Sequence, residues 1–328
     1  MLLDNRLVYK PIMYPFALAA FDKHEKMHWV STEITLNKDV EQWETSLSPG
    51  QKEFLTQLFR FFTQADIDVA KGYNQIFIPL LGGQPEVAMM MSSFAAREAT
   101  HIAAYALLVD TLGLPEGEFS AFMQYKAMRE KHEYLEEFKT DSHLNVAKSL
   151  AVYSAFTEGM QLFSTFAMLM HFERLGFMPG MTNIVRWSLR DEATHAESMI
   201  ALYKVFRQEY IAKSEWPLLE KHIHEVCAKM VELEDAFIDM AFDAANHELN
   251  VGLPDYEEPI TKDAVKQYIK HTADYRLKAL GCAPLYGEPG NPLKWLDRLL
   301  LATEHTNFFE SKPTEYSKGN IEYDDGGY

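Results

Sequence analysis

Apolar side chains recur at intervals of three and four residues over most of the chain, and the segments carrying them are long. In 51–80 the stripe runs Phe54, Leu55, Leu58, Phe61, Phe62 and Ala65, which predicts a helix with one buried face. Ser48, Pro49 and Gly50 supply its start, and Gly82, Gly83 and Pro85 its stop. The same reasoning predicts helices near 86–112, 118–137, 143–175, 181–210, 215–248 and 260–280. No run alternates convincingly at the strand period; 29–37 reads as extended or loop-like within a partly extended N-terminal arm, 1–45. The expected fold class is all-α. No repeat and no shift in composition divides the helical body, 1–310. Residues 311–328 hold one aliphatic side chain, Ile321, among Gly, Pro, Ser, Asp and Glu, so they predict a flexible tail. Its tyrosines, Tyr316, Tyr323 and Tyr328, are unusual for a plain linker.

Charge and composition narrow the function by exclusion. A net charge of −17 argues against nucleic acid, whose phosphates are held by Lys and Arg. No glycine-rich phosphate loop is present, and no apolar stretch is long enough for a membrane span. The first residues lack the pattern of a secretory signal. Cys227 and Cys282 have no metal-binding spacing, so the expected location is the reducing cytoplasm.

Two motifs carry the chemistry. Glu98-Ala-Thr-His101 and Glu192-Ala-Thr-His195 lie on two of the long helices. Three residues advance a helix by about 300°, so each Glu and its His share a face and can close on one ion. One such pair means little; Glu25 and His28 form another, without a matching partner helix, and are not expected to bind metal. Two pairs on two apolar helices predict the dimetal bundle design, which takes one more carboxylate from each of two further helices. Asp66, after Phe61 and Phe62, and Glu158, within AVYSAFTEGMQLFSTFAML, are acids on otherwise apolar faces. Burying such acids costs several kcal/mol each unless a cation compensates, so all six residues are expected to hold two metal ions. Mixed oxygen and nitrogen ligation suits iron or manganese. The bland alternative is that the acids face solvent or pair with Arg97, Arg186 and Arg190. Asp68 competes with Asp66, but the two point about 160° apart and Asp66 lies on the richer apolar face. Tyr105, a turn beyond His101, is either a core tyrosine or a redox-active one, and Trp29 is similarly open. Asp191 is placed to accept from a ligand histidine's other N–H.

These residues resemble the small, radical-generating subunit of class I ribonucleotide reductase. The matching pieces are HWVSTEI (28–34), FFTQAD (61–66), EATHIAAY (98–105), FTEGMQLFSTF (156–166), RDEATH (190–195) and NFFE (307–310). The resemblance implies a ferritin-like four-helix bundle with additional helices. It implies that Asp66, Glu98 and His101 bind one metal and Glu158, Glu192 and His195 the other, as two Fe, two Mn or a mixed pair, with glutamates bridging. Tyr105 matches the radical-bearing tyrosine, although subclasses with Phe there use the metal pair itself. Trp29, Asp191 and His101 match the relay toward the large subunit, which binds the C-terminal tail and holds the substrate. The family forms homodimers. Ser188 and Leu162 replace residues that are often Ile and Phe near the tyrosine, giving a more polar pocket. Lys71 resembles a feature of a dimanganese, superoxide-activated subclass. The main competing expectation is a ferritin-like dimetal oxygenase or ligand-binding oxidase acting on its own substrate; iron storage and a purely structural bundle are weaker alternatives.

Overall fold

The computed structural model describes residues 1–299, and among these there is no strand. A body spans Met1–Leu293; of the unit that begins at Lys294, the described part is helical. The expected boundary at 310, the NFFE run and the tail 311–328 lie outside the described residues.

Four long rods form the centre. The first is α3 (Pro49–Lys71), which continues through a π-helical turn (Gly72–Phe77) into α4 (Ile78–Leu81). Its start follows from sequence: the Ser48 hydroxyl accepts from Gln51 N at 3.2 Å, and the Gln51 side chain accepts from Ser48 N at 3.0 Å. The second is α5 (Pro85–Thr111). The third joins α8 (His143–Ala151) to α9 (Leu162–Arg174) through a ten-residue π-helical stretch, Val152–Gln161. The fourth is α10 (Pro179–Tyr210). Helix α3 packs on α5, α5 on α10, and α10 on the third rod. Phe54, Phe62, Phe94, Phe156, Phe166 and Phe206 are fully buried in this core.

Shorter helices set the rods in register. In the N-terminal arm, α1 (Pro15–Glu25) crosses α5 and α10, and α2 (Asn37–Thr45) lies against α10. Asp39 of α2 is buried, and its carboxylate accepts from Gly180 N at 2.9 Å and Met181 N at 2.8 Å, satisfying the first turn of α10. Helices α11 (Trp216–Ala244) and α12 (Lys262–Leu280) pack on each other and on the π-helical stretch.

Two expectations are corrected. The helix expected over 118–137 is broken into α6 (Gly117–Ala121), a 3-10 turn (Phe122–Gln124) and α7 (Lys126–Glu136). Tyr125 is extended at the break, where its hydroxyl accepts from Arg60 Nη1 at 2.7 Å, so a tertiary contact overrides local helix preference. The helix expected to reach 248 stops at Ala244, because Asn246 and His247 turn into positive φ. That turn brings the Glu248 carboxylate to the start of α3, where it accepts from Gly50 N at 2.7 Å. The arm combines α1, α2 and a 3-10 turn at Ser31–Glu33 with non-helical segments between them.

Candidate metal centre

The four rods each contribute to one buried cluster. Glu98 and His101 project from one face of α5, Glu192 and His195 from one face of α10, Asp66 from α3, and Glu158 from the π-helical stretch. All six are at most 2% exposed. They form two overlapping groups, Asp66 with Glu98, His101 and Glu192, and Glu158 with Glu98, Glu192 and His195. Within each group one ligand-type atom per residue lies within 4.8 Å of the others. Glu98 and Glu192 belong to both groups because each presents one oxygen to each imidazole. Glu98 approaches His195 Nδ1 at 3.0 Å and His101 Nδ1 at 3.4 Å; Glu192 approaches His101 Nδ1 at 3.1 Å and His195 Nδ1 at 3.4 Å.

These donors fit metal ions. Asp66 Oδ2, both Glu98 oxygens, Glu158 Oε2, Glu192 Oε2 and both Nδ1 atoms are buried without a well-aligned hydrogen bond from the protein. So many orphaned polar atoms aimed at one another would cost several kcal/mol without a compensating cation. The arginines do not compensate them. Arg97 and Arg190 turn to Asp191, at 3.7 and 3.5 Å, and Arg186 pairs with Glu173. Asp68 also points elsewhere, to His132 Nδ1 at 2.6 Å and to Lys71 at 3.7 Å.

The local electrostatics are those of a cation site. Burial pushes the Asp66 and Glu158 carboxyls well up. Burial also works against charge on Glu98, but His101 and His195 outweigh it and hold the carboxyl below its ordinary range. For His195, Glu192 and Glu98 overcome burial and raise the imidazole to about 10; Asp191, Glu192 and Glu98 raise His101 in the same sense. A cation bound at Nδ1 must displace these protons.

Outside the cluster the surroundings differ on the two sides. Trp29, 2% exposed, donates Nε1–H to Asp191 Oδ2 at 2.7 Å, and His101 Nε2 lies 3.3 Å from the same oxygen. Despite burial, His101, Trp29 and Arg97 hold the Asp191 carboxyl down at about 2, so it stays an anion. Tyr105 is fully buried, stacked on Phe62 with ring centroids 4.6 Å apart. Burial and the Asp66 carboxylate push its phenol well up, while the Ser188 hydroxyl works in the opposite sense.

On the other side stand two residues that the sequence motifs did not single out. His24 of α1 is fully buried, with Nε2 3.0 Å from His195 Nε2, and Tyr73 of the first π turn is edge-on to the His195 ring. Burial, then the neighbouring His195, lowers His24 to about 3, so it is neutral. A signal for His24 exists: Ala17, Ala20 and His24 share the buried face of α1. Glu25 is exposed, and neither it nor His28 belongs to either group.

The chain as a whole has counterparts among known proteins. The family described as ribonucleotide reductase, small chain, matches residues 6–292. The chain belongs to that family. This small chain is 42% identical to the probable ribonucleoside-diphosphate reductase small subunit of Invertebrate iridescent virus 3, covering 98% of this chain and 86% of the relative. It is 40% identical to the corresponding protein of Invertebrate iridescent virus 6, over 96% of this chain and 95% of that one. In backbone the small chain resembles the ribonucleotide reductase R2 subunit from Clostridium botulinum, with a TM-score of 0.78 and 21% identity, covering 90% and 91% of the two chains. That likeness establishes the fold, a ferritin-like helical bundle. No helix among the described residues is long and apolar enough to cross a membrane.

Proposed function

We propose that Asp66, Glu98 and His101 would hold one ion and Glu158, Glu192 and His195 a second, Glu98 and Glu192 belonging to both groups. The chain then works as the radical-generating small subunit of a ribonucleoside-diphosphate reductase. The observation that carries this reading is that each shared glutamate offers one oxygen to each imidazole. The donor set favours iron, manganese or a mixed pair. When bound and activated by oxygen or superoxide, such a pair supplies the one-electron oxidant that starts reduction of the nucleotide on the large subunit.

The chain's own residues store and conduct that oxidising equivalent. Tyr105, fully buried beside the Asp66 carboxylate, would pass an electron to the activated metal pair and its phenolic proton to Asp66. Tyr105→Phe is expected to keep both ions and to lose the organic radical, seen by electron paramagnetic resonance, together with nucleotide reduction. Turnover persisting in that variant would make the metal pair the stored oxidant, and loss of the ions would make Tyr105 a packing residue. Asp191 holds Trp29 and His101 at one oxygen, which gives a continuous path from centre to indole. A self-sufficient oxidase has no use for this path.

The large subunit is the partner for the far end of the relay. The polar tail, 311–328, orders on that partner through Ile321 and its tyrosines, and Tyr316 or Tyr323 carries the electron across. Deleting 311–328 should leave metal uptake and oxidation unchanged while weakening binding to the large subunit and abolishing nucleotide reduction. Full reduction by the truncated chain with its partner would refute the role of the tail. Two small chains pair about a two-fold axis, the commonest symmetry among soluble oligomers, and sedimentation at micromolar concentration distinguishes this from a 37.7 kDa monomer. Cys227 and Cys282, both free thiols, suit a reducing cytoplasm, and fractionation of expressing cells checks that location.

A further inference from the structure

The two imidazoles of the centre have the same inner face and different outer ones. Both turn Nδ1 toward Glu98 and Glu192. A ring that ligates through Nδ1 carries its proton on Nε2, and that proton needs an acceptor. For His101 the acceptor is the Asp191 carboxylate, 3.3 Å away. For His195 it is a second imidazole, His24 Nε2, 3.0 Å away. His24 does not come from the four rods. It lies on α1, fully buried, with its ring edge-to-face against Phe94 at 5.0 Å between centroids.

We infer that His24 is the positioning residue of the second half-site: its Nε2 accepts the Nε2–H of His195 and so fixes that ring with Nδ1 toward the glutamates. This rests on the ligand assignment proposed above. One consequence is local. Without His24 the His195 N–H is a buried donor with no partner, and the ring is free to turn its Nδ1 away from the ion. The other consequence concerns the pair. A carboxylate behind an imidazole makes it a stronger donor than a neutral imidazole does, so the His195 half holds its ion less tightly than the His101 half. The N-terminal helix thereby becomes part of the metal centre, although it contributes no ligand.

The test is a titration of the full-length chain with Mn²⁺, following free ion by electron paramagnetic resonance and heat by calorimetry. The wild type is expected to take up two ions, and His24→Phe to keep one at wild-type affinity and bind the other about 10–100-fold more weakly. His24→Gln places an amide oxygen where Nε2 stands and should restore most of the affinity; His24→Asn, one bond shorter, should not. The Gln and Asn pair decides the matter even if the Phe variant folds poorly, because both are polar and similar in bulk. Equal binding by Gln and Asn, or wild-type affinity for both ions in a folded His24→Phe chain, overturns the inference. A wild-type chain that takes up fewer than two ions overturns instead the ligand assignment beneath it.

Discussion

Glu192→Ala is expected to give a folded protein that holds metal more than about 100-fold more weakly and has lost nucleotide reduction. Removing an outer partner of a metal ligand already costs about 10–100-fold in affinity, and Glu192 stands closer than that. Its two oxygens face His101 and His195 at 3.1 and 3.4 Å, so one substitution damages both halves of the centre. Folding should survive. The start of α10 is capped by Asp39, and the buried aromatic core on α5 and the third rod does not depend on this carboxylate. Deleting a buried acid also removes its desolvation cost. Circular dichroism and metal analysis on the same sample decide the point. Both ions retained at full occupancy would mean that Glu192 is not a ligand.

The second large effect is expected at Trp29. Trp29→Phe keeps an aromatic ring but removes both the indole N–H and the easily oxidised indole. Asp191 loses a 2.7 Å hydrogen bond to a charged acceptor, worth about 2 kcal/mol, and the relay loses its outer member. Reduction with the large subunit should fall by about a hundredfold or more, while metal content and formation of the oxidant at the centre remain as in the wild type. The split between these two readouts is what marks a relay residue. A Trp29→Phe chain that supports full turnover would remove Trp29 from the path. One that loses its ions would reduce Trp29 to support for His101 through Asp191.

Much of the site was legible in sequence because its elements are local. The Glu-x-x-His pairs need only one helical turn each, and apolar stripes placed α5, α10 and the rod that runs from α3 through α4 to within two residues of their observed ends. Choosing Asp66 over Asp68 needed the helical angle between them and the richer apolar face around Asp66, and in the structure Asp68 is engaged by His132 and Lys71. What escaped depends on contacts between distant segments. The π-helical stretch that carries Glu158 has no signature in its own residues. Arg276 Nε–H donates to Gly159 O at 2.9 Å, and a side chain at Gly159 would meet that guanidinium at 2.7 Å. Likewise Gly72, in the other π turn, leaves room for the Tyr153 ring, 2.5 Å from where a Cβ would stand. The break at Tyr125 depends on Arg60, 65 residues away in sequence. His24 was hidden for a similar reason, since a single histidine on a short helix acquires meaning only when His195 meets it.

The most direct test of the whole account is the metal stoichiometry of the purified chain, loaded anaerobically with Fe²⁺ or Mn²⁺ at several pH values and then oxidised. Two ions per chain are expected. Uptake should weaken as pH falls, because the protons raised onto His101 and His195 must leave for the ions to bind. After oxidation a coupled metal signal or a tyrosyl signal is expected in the paramagnetic resonance spectrum. One ion or none per chain, or uptake unchanged in a chain lacking the side chains of both His101 and His195, would contradict the account.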